Sequence, residues 1–114
     1  MDDIQRAAQL RREIRDLTEK KNQYTAVKRG LEEINSYVEQ GNERMNTAKV
    51  YIEQEYDGKR VSGMLETISE ITGKSTNIKN KVSTVLAEIT PKINSLSSQI
   101  KKKRSLLNKI DFVD

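Results

Sequence analysis

The sequence predicts an all-α fold: a long antiparallel two-helix hairpin of coiled-coil character. Three observations predict it. Apolar residues recur at steps of three and four along both halves. A single glycine-containing turn signal stands at the midpoint. The two halves carry opposite net charge, −2 over residues 1–57 and +6 over residues 58–114.

Helix 1 is expected over about residues 3–56. Its stripe runs Ile4, Ala7, Leu10, Ile14, Leu17, then Tyr24, Val27, Leu31, Ile34, Val38, then Met45, Ala48, Ile52. Lys21 and Gly41 stand on the stripe without a bulky apolar group. The three-residue step from Tyr24 to Val27 reads as a local deviation of the stammer type. The turn is expected near residues 56–62. There Gly58 can take a positive φ, Asp57 suits a turn, and Gly63 lies just beyond.

Helix 2 is expected over about 61–110, with a short tail over 111–114. Its stripe runs Val61, Leu65, Ile68, Ile71, Ser75, Ile78, Val82, Val85, Ile89, Ile93, Leu96, Ile100, Lys103, Leu107, Ile110. The steps Val85–Ile89–Ile93 are two fours in succession, a stutter that coincides with Pro91. Because the stripe continues past Pro91, a kink is expected there rather than a helix end. Near-equal amphipathic arms joined by a short loop read as an αα-hairpin in one domain. Folding about Gly58 sets Lys101, Lys102, Lys103 and Arg104 beside Glu13 and Asp16, which selects the antiparallel register.

Composition narrows the function. Of 114 residues, 27 are Leu, Ile, Val or Phe, about 24%, which lies above the roughly 20% that marks disorder. The 34% apolar content is thin for a domain core. One Pro, five Gly and no Trp argue against an all-β fold. With no His and no Cys, zinc, haem and iron–sulfur sites lose their usual ligands, and His bases and Cys nucleophiles are excluded. No cofactor and no small-molecule substrate is expected. A two-helix hairpin offers no obvious pocket in which to shift the pKa of a carboxylate or lysine, so no enzymatic activity is expected. Met1-Asp2-Asp3-Ile4 lacks the basic and apolar regions of a Sec-type leader, and no apolar run is long enough to span a membrane.

The basic run 101–104 raises nucleic acid as a partner, but aromatic side chains to stack on bases are scarce and the run faces acids on the other arm. A membrane surface is disfavoured because the apolar face is mainly Ile and Val at coiled-coil spacing. Two helices bury one seam only, and Leu86 and Leu106 are expected beside it as surplus apolar surface. A helical protein partner, or self-association, is therefore expected. The expected contact residues are Val82, Leu86, Ile89 and Ile93 on the second arm, Tyr56 and Gly58 at the turn, and Phe112 in the tail.

Tyr56-Asp57-Gly58-Lys59-Arg60-Val61, at the middle of a helical hairpin of about this length, resembles the Trp-x-Gly turn of the WxG superfamily exported by type VII secretion systems. Tyr56 stands where that family has Trp. The chain is most similar to the small helical proteins encoded beside LXG-type toxins in Gram-positive bacteria. The resemblance implies a targeting factor or chaperone that binds the toxin's helical N-terminal region. It also implies a cytoplasmic protein or one exported without a cleaved leader. In that family an aromatic followed four residues later by an acid serves as export signal after the second helix; Phe112 is the aromatic of this tail, and no such acid follows it in this sequence. The alternative from the residues alone is a structural coiled-coil subunit or scaffold of a cytosolic assembly.

Overall fold

In a computed structural model, two α-helices pack against each other as a hairpin. The structure describes residues 2–55 and 58–111, excepting the side chains of residues 59, 60 and 111. Helix α1 spans Asp3–Glu55 and α2 spans Lys59–Asp111, 53 residues each. The expected boundaries agree to within one or two residues, the margin over which helix ends fray. Asp2 caps α1: its Oδ1 accepts from the Gln5 backbone N–H at 2.8 Å, and its carbonyl accepts from Arg6 N–H at 3.0 Å. At the turn Gly58 adopts φ 105°, the left-handed conformation that ends a helix cheaply only at glycine. Helix α2 continues through Pro91 without interruption. Among the described residues, no helix is long and apolar enough to cross a membrane.

The chain divides into two compact units. The first pairs residues 2–29 with 87–111. Its core is Ala7 and Leu10 from α1 with Ile89, Leu96 and Ile100 from α2. Two polar contacts flank that core. Lys103 Nζ donates to Glu13 Oε2 at 2.7 Å, and Lys92 Nζ lies 5.9 Å from the centre of the Tyr24 ring, in range of a cation–π attraction. The Lys103–Glu13 bond realises the register expected from the charge pattern.

That bond, first, and the nearby charges of Lys103 and Arg12 hold the Glu13 carboxyl below the usual carboxylate range. A depressed folded-state pKa contributes stability above the unfolded pKa and loses it as pH falls through the folded value. Glu13→Gln should therefore lower stability slightly at neutral pH. The gap from the parent should close on acidification, as followed by denaturant melts between neutral and acid pH. A gap that stays constant across that range would mean the carboxylate charge contributes nothing.

The second unit is residues 30–86 and contains the turn. Its core is thinner. Among the described residues Val82 is its one buried apolar side chain. Leu31, Val38, Met45, Ile52, Val61, Leu65, Ile68 and Leu86 are half-buried. Polar bonds that cross between its helices include Asn35 Nδ2 donating to Ser83 Oγ at 3.3 Å and Lys79 Nζ pairing with Glu39 at 2.5 Å.

The seam differs from the apolar stripe at several steps. In α2 the covered positions include Val61, Leu65, Ile68, Thr72, Ser75, Lys79, Val82, Leu86, Ile89, Ile93, Leu96, Ile100, Lys103, Leu107 and Ile110, a strict alternation of fours and threes, with Thr90 and Ser97 half-buried beside them. In α1 those at heptad spacing are Ala7, Leu10, Ile14, Leu17, Lys21, Tyr24, Lys28, Leu31, Asn35, Val38, Asn42 and Met45, with Ile52 beyond and Glu13, Thr18, Thr25 and Gly41 half-buried beside them. The expected stammer and stutter are therefore absent. Val27 and Ile34 in α1, and Ile71, Ile78 and Val85 in α2, are exposed and lie one residue before the seam position; Ala48 is exposed as well. Leu86, expected beside the seam, lies in it.

The physical reason is continuity. Two paired helices keep one 3.5-residue repeat, and a local switch to the more apolar neighbour would need the helix to rewind. The polar residues left in the seam are accommodated instead. The Lys79 stem packs while its ammonium reaches Glu39, and Asn35 bonds Ser83.

Candidate helix-docking face

The displaced apolar residues are not scattered. With the seam residues as positions a and d of a heptad, Met64, Ile71, Ile78 and Val85 are four successive g positions of α2. Ile34, Gly41 and Ala48 are successive g positions of α1. In an antiparallel pair the g positions of both helices border the same side of the seam. The register fixed by Asn35–Ser83 and Glu39–Lys79 sets Ile34 across from Val85, Gly41 from Ile78 and Ala48 from Ile71. Outside this double row lie the c positions, among them Tyr37 and Tyr51 of α1. Ile34 is 43% exposed, Ile78 49% and Tyr37 69%. These side chains form a continuous apolar strip on one flank of the turn-containing unit, and contiguous exposed apolar surface marks a contact site more often than single exposed residues do.

The opposite flank is chemically different. Its e positions are Ser62, Ser69, Thr76 and Ser83 on α2 and Glu32, Glu39, Asn46 and Glu53 on α1. An open groove lies there, lined in part by Asn42, Asn46, Ser69, Thr72 and Thr76 together with Ile68. Water suits the polar groups, and it suits Met64, Ile71, Ile78 and Val85 poorly.

Gly41 stands on the α1 row and, like Gly30, Gly63 and Gly73, lies inside a helix. It sits inside α1, where glycine costs about 0.5–1 kcal/mol relative to alanine. A Cβ built on it meets nothing within 4 Å, so no contact within the chain requires its absence.

The residues expected from sequence fall in two groups. Val82 and Ile89 are buried, and Leu86 and Ile93 half-buried, in the hairpin's own seam. They pack between the two helices, which leaves Val82 and Ile89 little exposed surface. Gly58 performs the turn. Tyr56 and Phe112 lie outside the described residues. The strip itself went unassigned, although its signal was present: Met64, Ile71, Ile78 and Val85 are spaced by seven, a second heptad row beside the first. Comparison with protein-family models, with curated proteins and with solved structures returns no match.

Proposed function

We propose that this chain is a non-enzymatic binding protein that takes up another helical protein, acting as a targeting factor or chaperone for an LXG-type toxin of a type VII secretion system. The observation that carries the binding role is the apolar strip on the unit with the thinner core. Among the described residues, 30–86 bury a single apolar side chain, Val82, while leaving Ile34, Met64, Ile71, Ile78 and Val85 exposed. A helix laid on that strip would cover apolar surface that the chain alone leaves in water. The toxin-specific version draws support from the central Tyr56-x-Gly58 turn and the two arms of equal length. The unbroken heptads also suit a structural coiled-coil subunit, which is the second reading.

The test is co-expression with the helical N-terminal domain of an LXG-type toxin from the same gene neighbourhood. The two should co-purify as a defined complex. Saturating partner should raise stability by mass action, about 2.7 kcal/mol at a hundred times Kd. A chain that stays a cooperatively folded monomer and forms no complex with that domain would exclude the toxin role.

A further inference from the structure

We infer that the strip receives one amphipathic helix of about six turns whose apolar stripe is bordered by acidic side chains. The inference deepens the binding role proposed above and rests on it. Its length follows from the α2 row, since Met64 to Val85 spans 21 residue steps, about 32 Å at 1.5 Å per residue.

The acidic border follows from how charge is sorted across residues 30–86. The c positions that edge the strip hold Arg44, Lys74 and Lys81, all exposed. Among the described residues none of the three is held in an ion pair. The acids of the same unit turn away: Glu32, Glu39 and Glu53 stand at e, Glu43 and Glu66 at b. Glu33 and Glu70 stand at f, and among the described residues only Glu55, at the turn end of α1, shares the strip's side. An apolar stripe with a cationic rim is matched by an apolar stripe with an anionic rim, because opposite charges steer encounter and like charges across an interface oppose it. The same rule argues against a second copy of this chain, which would set Lys74 and Lys81 against an identical basic rim. Gly41, across from Ile78, leaves room for the incoming helix to approach the α1 backbone closely.

The experiment uses the full chain and two probe peptides of about four heptads each, both with Leu at a and d. One carries Glu at e and g, the other Lys, so that each repels itself and stays monomeric. At about 50 mM salt, where surface charges are weakly screened, the Glu peptide should bind at least tenfold more tightly than the Lys peptide. Ile71→Ser combined with Ile78→Ser should weaken the Glu peptide tenfold or more. Lys74→Glu combined with Lys81→Glu should reverse the preference between the peptides. Ser69→Ala combined with Thr76→Ala, on the opposite flank, should leave it intact. These positions are exposed or on the polar flank, and circular dichroism will show whether each variant keeps its helices.

Equal binding of both peptides, or equal loss from the Ser69/Thr76 pair, overturns the inference. Self-association of the parent chain that is abolished by the Ile71/Ile78 pair also overturns it, making a second copy the occupant. The toxin-domain complex is scored separately. A complex that forms and survives the Ile71/Ile78 pair refutes this face and leaves the function standing. Peptide binding as described with no toxin complex refutes the partner and supports the face.

Discussion

Replacing Ile100 by alanine should lower the unfolding free energy by about 2–4 kcal/mol, whereas the same truncation at Ile78 should change it by no more than about 0.5 kcal/mol. Both residues are isoleucines on α2, and both fall on the apolar stripe of the sequence. Ile100 is 5% exposed and packs in the unit that holds Ala7, Leu10, Ile89 and Leu96. Its truncation removes buried methyl groups and leaves a cavity. Among the described residues no side chain is fully enclosed, so the site can partly close, which keeps the cost in the lower part of the usual range. Ile78 is half-exposed and loses little when shortened. For a chain of this size the Ile100 change corresponds to a fall in Tm of roughly 10 °C or more. Urea unfolding followed by circular dichroism measures both. A loss under 1 kcal/mol at Ile100, or a larger loss at Ile78 than at Ile100, would place the seam elsewhere.

Much of the architecture was legible in the residues. The helices follow from sustained three-and-four spacing, and the single turn from Gly58, whose positive φ is the conformation glycine supplies. The antiparallel register followed from charge, and Lys103 does bond Glu13. The seam was not fully legible. At the three places on α2 where the apolar stripe departs from the seam, an apolar residue is followed directly by the true seam residue: Ile71 by Thr72, Ile78 by Lys79, Val85 by Leu86. Residue-by-residue apolarity chooses the first of each pair or cannot choose. The helix chooses by phase, since a seam that advances by seven cannot step aside for one isoleucine without rewinding the turn around it. Pairing outweighs apolarity here because a seam lysine costs little when its stem packs and its ammonium reaches Glu39.

Of the expected contact residues, Val82, Ile89 and Ile93 stand both on the apolar stripe and in the seam, and the phase of the helix brings Leu86 into the seam in place of Val85. The apolar row left over is the one that faces water. Asn35 bears on register in the same way. It sits at a seam position, bonds Ser83 through its amide, and its Oδ1 is buried with no hydrogen-bond partner among the described residues. A polar side chain at an a position disfavours shifted pairings at some cost in stability.

The most direct measurement of the seam's phase exploits the absence of cysteine from the chain. Single cysteines introduced by Ile78→Cys, Val85→Cys, Val82→Cys and Ile89→Cys can each be titrated with a thiol reagent under native conditions. Val82 and Ile89 are 9% and 8% exposed, against 49% for Ile78 and 39% for Val85. Labelling at an exposed site needs no opening of the structure, whereas labelling at a seam site needs local unfolding, which lowers the rate by the opening equilibrium. Ile78→Cys and Val85→Cys should therefore react at close to the rate of the denatured chain, and Val82→Cys and Ile89→Cys at least tenfold more slowly. Protection at residues 78 and 85 equal to that at 82 and 89 would contradict the seam, and with it the strip on which the binding role rests.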